Sequence, residues 1–530
     1  MISEKNKLDF NEKFTEAYDL METSSKNIFV TGKAGTGKST LLQYFRDKTF
    51  KNIAVLAPTG VAAVNIKGQT IHSFFMFKPD ITPESVSNIK IRKTKRVIYK
   101  EIEVIVIDEI SMVRADLLDC VDTFMRLYGP KKDLSFGGVQ MVFIGDLYQL
   151  PPVVTKLDEK IFRDVYKSPY FFDAKVFESF DMDLVELEKV YRQKDAEYLD
   201  ILNSIRNKTI TSGNLEILNK RFFMNVNMDN TDFYIYLTTT NKMADNINQE
   251  KLSKLRTKSF NYQGHISGSF ELKNLPTYQR LNLKIGAQVM LLNNDSAGRW
   301  VNGTIGQVAA FNQNEKAEDI VNVKLLDGKL VEVTPFSWEM FKFSYNETLS
   351  KIESESVGSF SQYPLKLAWA VTIHKSQGKT FPKVILDIGR GTFSHGQVYV
   401  ALSRCISSEG LILKQKIEKK HILLDWRVLE FNMKNKCKIS EKICPLDEKK
   451  QIISDAISRG DEVDIVYVNS KDQKCQRVIR PKYLGEMNYF GKNYLGVEGY
   501  CCLKGQNRSF RLDRILAIRE KDTGKTFGMW

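Results

Sequence analysis

The sequence predicts an α/β protein built on parallel sheets, with a separate β-rich module toward its C-terminal end. Three observations predict this. The apolar strand Ile28-Phe29-Val30 runs directly into a glycine-rich loop and a helical stretch. A second apolar strand, Val104 to Ile107, ends in the paired acids Asp108 and Glu109. Strands of this kind alternate with helical patterns through about residue 150, which is how a parallel sheet is built. Beyond residue 450 short strands such as Val463-Asp464-Ile465-Val466-Tyr467 take over. At 530 residues the chain is long for one core, and about three to four domains are expected.

Composition narrows the function classes. No window approaches the ~18 unbroken apolar residues that a membrane span needs. Met1-Ile2-Ser3-Glu4-Lys5 carries early charge and no apolar leader, so a soluble, unexported protein is expected; a bacterial-type cytoplasmic, nucleoid-associated location and a monomeric state are separate expectations. A net charge of +14 favours a polyanionic partner over a small neutral substrate. The seven cysteines include no C-x-x-C pair and the five histidines are scattered, which fits a reduced compartment without a zinc site.

Residues 8 to 24 read as a helix, with Leu8, Phe14, Tyr18 and Met21 at roughly helical spacing. The next segment, Gly32-Lys33-Ala34-Gly35-Thr36-Gly37-Lys38-Ser39, fits the phosphate-loop pattern G-x-x-x-x-G-K-[ST] at every fixed position. Gly32, Gly35 and Gly37 let backbone N–H groups curl around an anion without Cβ clashes. Thr36 lies among them, Lys38 would set its charge on the β- and γ-phosphates, and Ser39 would ligate Mg²⁺. Thr40 continues into a helix whose N-terminal dipole faces the anion. The alternative is a chance glycine turn between strand and helix.

The strand Ile53 to Ala57 ends in Pro58-Thr59-Gly60, which places Thr59 at the ligand edge of an open sheet. In Thr70-Ile71-His72-Ser73-Phe74-Phe75, polar groups interleave with aromatics, a pattern that fits either a loop with core phenylalanines or a single-strand contact. The basic run Lys90 to Lys100 reads as a solvated helix face. After Val104 to Ile107, Asp108 would hold Mg²⁺ and Glu109 would polarise the attacking water. The strand Val139 to Ile144 delivers Gly145 to Pro152, in which Gln149 is suited to sensing the γ-phosphate or water.

Together these motifs closely resemble the Pif (petite integration frequency) family of superfamily-one DNA helicases, itself similar to RecD. Later stretches extend the resemblance: Val190 to Gln193, Leu237 to Asn241, Ile285 to Met290, Asn302-Gly303, Thr372 to Gly378 and Val400 to Arg404. It covers roughly residues 8 to 430. The resemblance implies two RecA-like parallel-sheet motor domains, residues 1–180 and 181–433, with ATP and Mg²⁺ in the cleft. It also implies a small subdomain at about 64–100 and an SH3-like β-barrel at about 296–362. Lys38, Asp108, Glu109 and Gln149 belong to the first domain; Arg192 and Arg404 would reach the γ-phosphate from the second, or else make surface salt bridges. Thr59, His72, Ser73 and Phe74, with His374, Lys375, Ser376 and Gln377, would line a channel for single-stranded DNA. No glutamine precedes the phosphate loop to read adenine, so preference for ATP over GTP is implied by the resemblance alone.

Residues 434–449 read as a charged linker, and 450–530 as a unit that resembles the WYL domain, with Asn493 where that family's Trp stands. Arg480, Arg508, Arg511 and Arg514 are its candidates for anion contact. The expected function is that of an ATP-dependent helicase stepping 5′→3′ on single-stranded DNA and opening 5′-tailed duplexes in replication, repair, recombination or telomere-type maintenance. G-quadruplexes and RNA–DNA hybrids are further candidate substrates. The alternative is a nucleotide-dependent DNA-binding switch or clamp that does not unwind.

Overall fold

The computed structural model describes residues 10–154, 162, 165–193, 195–223, 232–313, 319–389, 391, 392, 394–470, 472–489, 491–521, 524 and 526–528. The chain divides into two compact units, Met1–Arg206 with Ile210–Leu423, and Asn207–Thr209 with Leu424–Trp530.

The first unit opens with the helix Glu12–Thr23, capped by the Asn11 side chain on the Phe14 N–H. Leu8 of the expected helix lies outside the described residues. A six-stranded sheet follows, made of β1 (Ile28–Gly32), β2 (Ile53–Ala57), β3 (Gln69–Thr70), β4 (Val104–Ile107), β5 (Gln140–Ile144) and β6 (Asp183–Leu187). Its order is β3-β2-β4-β5-β1-β6 and every pairing is parallel. β1, β4 and β5 are buried along their whole length, as strands covered on both faces must be, and this explains their unbroken apolar runs. Phe14, Met21, Leu41 and Phe45 pack on one face against Ile28, Val30, Val106 and Val142. Burying each such side chain contributes about 1.5–3 kcal/mol. The expected boundary at residue 180 falls short, because β6 pairs with β1 from Ile28↔Asp183 to Gly32↔Leu187 and completes the first sheet.

The second sheet begins at β7 (Ile235–Thr238). Before its other strands arrive the chain makes a β-rich excursion: β8 (Ser259–Gln263), β9 (His265–Gly268), β10 (Arg280–Lys284), β11 (Gln288–Leu291), β12 (Ile305–Gln313), β13 (Asp319–Leu325), β14 (Leu330–Val333), β15 (Phe336–Asn346), β16 (Lys351–Gln362) and β17 (Leu365–Leu367). The sheet β14-β13-β12-β11-β17 is antiparallel, β15 and β16 form a long hairpin edged by β9, and β8 pairs with β10. Leu281, Leu283, Val289, Leu291, Trp300 and Val323 share one core with Leu365 and Leu367. The strands that close this core lie on both sides of 296–362, so the excursion is wider than the sequence reading set it. β18 (Ala370–Thr372), β19 (Val384–Asp387) and β20 (Leu411–Leu413) then complete the parallel sheet β18-β7-β19-β20.

In the second unit the expected linker is helical. Residues 434–443 belong to the helix Trp426–Ile443, and Pro445 caps a second helix, Leu446–Arg459. The charge-rich composition disguised an amphipathic stripe in which Val428, Asn432, Asn435 and Ser440 are buried. An antiparallel sheet follows, of β21 (Val463–Val468), β22 (Lys474–Tyr489), β23 (Lys492–Cys501), β24 (Gln506–Arg511), β25 (Ile515–Glu520) and β26 (Thr526–Gly528), in the order β24-β23-β22-β21-β25-β26. Ile452, Ile453 and Ala456 of the second helix fill its core with Val463, Ile465, Ile479, Val497 and Phe510. Among the described residues, no helix is long and apolar enough to cross a membrane.

Candidate functional site

Strand ends of the first sheet converge on one edge, where open parallel sheets bind ligands. β1 leads into the glycine loop, which turns with Gly35 at φ +81° and Gly37 at φ +90°. A Cβ on Gly35 would stand 2.5 Å from the Cβ of Arg192, so glycine is required there by both the turn and the neighbour. The buried Thr36 hydroxyl donates to the Lys33 carbonyl at 3.0 Å. Lys38 folds back along the loop, its Nζ donating to Gly32 O at 2.7 Å and Lys33 O at 3.0 Å. Burial lowers its pKa, with Asp146 and Glu109 acting the other way. Ser39 and Thr40 are exposed at the start of the helix Lys38–Lys48.

β4 delivers Asp108 and Glu109. Burial raises the pKa of both, and the neighbouring Glu109 raises Asp108 further; Lys38 and Arg404 draw Glu109 back. Glu109 holds the left-handed conformation (φ +51°), a sparsely populated state for a residue with a side chain. Beyond β5, the buried Asp146 carboxylate accepts the Tyr148 N–H at 3.1 Å, the Gln149 Nε2 at 3.2 Å and the Arg206 guanidinium at 3.3 Å.

Arg192 follows β6, and the Tyr191 N–H donates to Gly35 O at 2.9 Å. It therefore sits beside the phosphate loop on the first sheet's side, a correction to its expected place on the second domain. Its Nη atoms reach Ser403 O and Gly378 O at 3.4 Å. Arg404 does come from the second sheet's side and is 1% exposed, with hydrogen bonds to Val400 O, Lys379 O and Ser403 Oγ, all neutral partners. Burial first, and the Arg192 guanidinium second, push its pKa down to about 9. Burial thus disfavours the charged forms of Lys38 and Arg404 and of Asp108 and Glu109 alike.

The helix Gln397–Leu402 presses the second half onto the first. Tyr399 Oη accepts the Ala34 N–H of the phosphate loop at 3.0 Å. Gly396, at φ +71°, lies so close that a Cβ would stand 2.3 Å from the carbonyl oxygens of both Tyr148 and Gln149. From the second-half loop Gln377 Nε2 donates to Glu109 Oε2 at 3.0 Å.

Known proteins share this fold. The family model for PIF1-like helicases matches residues 8–215, and that for the 2B domain of DNA helicase Pif1 matches 267–311. The chain is 32% identical to the ATP-dependent DNA helicase Pif1 of Bdellovibrio bacteriovorus, an alignment spanning 80% of this chain and 92% of that protein. The chain belongs to the PIF1-like helicase family. Its structure is similar to that of Pif1 from Bacteroides sp in complex with ADP-AlF4, with TM-score 0.74 and 36% identity over 82% of this chain and 98% of that one. For Bacteroides Pif1 bound to single-stranded DNA the TM-score is 0.57, at 37% identity over 80% and 97% of the two chains. Residues 448–520 match the WYL domain.

The residues expected to touch DNA divide into groups. Thr59 and Thr70 cap short helices, accepting the N–H groups of Ala62 and Ser73, while Ser73 is exposed and His72 half-buried. Phe74 is a core residue with its ring on Phe75, Tyr99 and Phe343, so no face is open for stacking on a base. Ser376 is fully buried and its hydroxyl donates to Ile373 O at 2.7 Å. Both depart from the expected contact role, because the aromatics and hydroxyls that suit a channel also suit a core. Gln377 turns toward the acid pair; Lys375 is exposed, and burial lowers the pKa of the half-buried His374. Sequence reasoning missed Arg206, Tyr399 and Gly396, and also Lys366 and Lys379. Tyr399 and Lys379 each adjoin a recognised motif, while Arg206 carries no local signal.

In the WYL unit Arg480 pairs with Glu462 at 3.1 Å. Arg511 pairs with Asp513 at 2.7 Å and lies over the Tyr494 ring. Arg514 interacts with Tyr467, and Arg508 is exposed. Asn493, exposed on β23, stands opposite Asn488.

Proposed function

We propose that this ATP-dependent DNA helicase steps 5′→3′ along single-stranded DNA by closing and opening the cleft between its two parallel-sheet halves around ATP. The observation that carries this reading is the hydrogen bond from Gln377 to Glu109. It ties a loop of the second half, from the motif that would hold DNA, to the acid that would activate water on the first half. A change in grip on the strand therefore reorients the hydrolytic acid, which links turnover to movement.

The phosphate loop and Lys38 would hold the triphosphate, and Arg192 and Arg404 would neutralise the charge that spreads over the γ-phosphate oxygens. Ser39 and Asp108 would hold Mg²⁺, which would neutralise charge on the triphosphate. The donor set fits: buried acids raised in pKa are stabilised as anions by a dication, and guanidiniums with neutral partners by a phosphate. Gln149 would orient the attacking water. A non-unwinding switch needs no such full hydrolytic set, and strand displacement on tailed duplexes separates the two readings. Structured DNA and RNA–DNA hybrids belong to the same proposal as substrates, and the nucleoid as its location.

The DNA grip has its own test. Lys366 on β17 and Lys379, whose Nζ donates to Asn302 Oδ1 at 2.6 Å, flank the loop 374–377. Burial pushes both down to about 8, with Lys375 lowering Lys366 further and Lys366 lowering Lys379; Asp245 acts in the opposite direction on Lys366. A lysine with a lowered pKa loses its charge as pH rises through 8, and with it a phosphate contact. Single-strand affinity is therefore expected to fall from pH 7 to pH 9, and its log–log salt slope to become shallower by about 0.7 per lysine lost. Fluorescence anisotropy with oligo-dT at several salt concentrations measures both. A slope equal at the two pH values contradicts the assignment of these lysines to the channel.

A further inference from the structure

We propose that Arg206 is a positioning residue for ATP hydrolysis, holding Asp146 and through it the Gln149 side chain ready for the γ-phosphate and the attacking water. The proposal rests on the reading of Gln149 as the sensor given above.

Arg206 ends the helix Ala196–Arg206 and, as a side chain, is 5% exposed. Its guanidinium touches Asp146 Oδ1 at 3.3 Å and its central carbon lies 3.9 Å from the centroid of the Tyr148 ring. The same carboxylate holds Gln149 Nε2 from its other oxygen, at 3.2 Å. One buried anion thus stands between the arginine and the sensor amide, and its two oxygens are divided between them. A carboxylate buried without a cation would take up a proton, and its orientation would no longer be fixed. Arg206 Nε, although buried, has no hydrogen-bond partner among the described residues. The guanidinium is therefore not placed by a complete set of hydrogen bonds of its own, and is instead clamped between the Asp146 carboxylate and a ring face.

The segment that carries Arg206 also touches other parts of the site. Tyr191 bonds to the phosphate loop through Gly35 O, and Arg192 lies against that loop. Gln193 Nε2 donates to Ser403 O at 2.9 Å, and Tyr198 Oη donates to Leu402 O at 2.8 Å, both beside Arg404. Residues 191–193 and 195–206 therefore touch the phosphate loop, the Arg404 turn and the sensor loop alike. A planar guanidinium is needed at the end of this segment: a lysine keeps the charge, but loses the fork toward Asp146 and the stacking on Tyr148.

Turnover at saturating ATP and oligo-dT, the KM for ATP, and binding of a fluorescent ADP decide the matter in Arg206→Lys, Gln149→Ala and the double variant. Gln149→Ala is expected to lower kcat about 10²-fold. Arg206→Lys is expected to lower it about 10-fold or more with ADP affinity retained. The double variant should match Gln149→Ala within about twofold, because a residue that acts through Gln149 has nothing left to position. If Arg206→Lys changes kcat per folded molecule by the same factor in both backgrounds, Arg206 is merely structural and the proposal falls. Wild-type turnover in Gln149→Ala would instead overturn the sensor reading, and the proposal with it. Should Arg206→Lys unfold, the pair Asp146→Asn and Arg206→Met, which removes both buried charges, goes through the same comparison with the same two outcomes.

Discussion

Lys38→Ala is expected to lower ATP turnover by about 10³-fold while single-strand affinity changes by less than about threefold. The Lys38 ammonium lies on the carbonyls of Gly32 and Lys33 beside the loop amides, where in the proposed site it would meet the triphosphate and not the strand. Its burial adds a second expectation. Burial disfavours the charged lysine and lowers its pKa, so its removal relieves the folded state of an unfavourable charge. The melting temperature should be unchanged or higher, which separates loss of chemistry from loss of fold. A coupled-enzyme assay, oligo-dT anisotropy and a thermal melt measure the three quantities. Turnover retained in Lys38→Ala contradicts the phosphate-loop assignment.

Arg404→Ala is expected to lower kcat by about 10³-fold with KM for ATP changed little, because in the proposed site its guanidinium would face charge that develops only as the γ-phosphate leaves. Arg404→Lys should not restore the rate, since a point charge cannot reproduce the planar fork. The structure adds a reason for confining this arginine. Its hydrogen bonds go to carbonyls and a hydroxyl beside Arg192, and among the described residues none goes to a carboxylate, which leaves the guanidinium available to a phosphate. A rise in KM at unchanged kcat would assign Arg404 to ground-state binding and contradict the role given to it.

Much of the site was legible in the sequence because its chemistry is local. A strand, a glycine turn, a lysine and a helix N-terminus occupy Ile28 to Ser39 without a break, and Asp108-Glu109 ends a strand as four consecutive apolar residues foretell. What escaped is tertiary. Arg206 meets Asp146 across 60 residues of chain, and nothing near either announces the other. Gly396 looks like any loop glycine until the Tyr148 and Gln149 carbonyls are brought against it. Phe74 was ambiguous for a physical reason: base stacking and core packing use the same ring, and only its burial against Tyr99 and Phe343 decides. The stretch 434–449 failed through composition, because a charged surface hid the buried stripe of a helix. β11 and β17 lie outside the expected barrel limits because pairing partners in an antiparallel sheet need not be close in sequence.

Strand displacement on three duplexes, with a 5′ tail, with a 3′ tail and with blunt ends, tests the central claim most directly. ATP-dependent opening of the 5′-tailed duplex, with little of the other two, is the expected result. Opening of the 3′-tailed duplex alone would contradict the proposed polarity, and hydrolysis stimulated by the single strand without displacement of any duplex would contradict the motor itself.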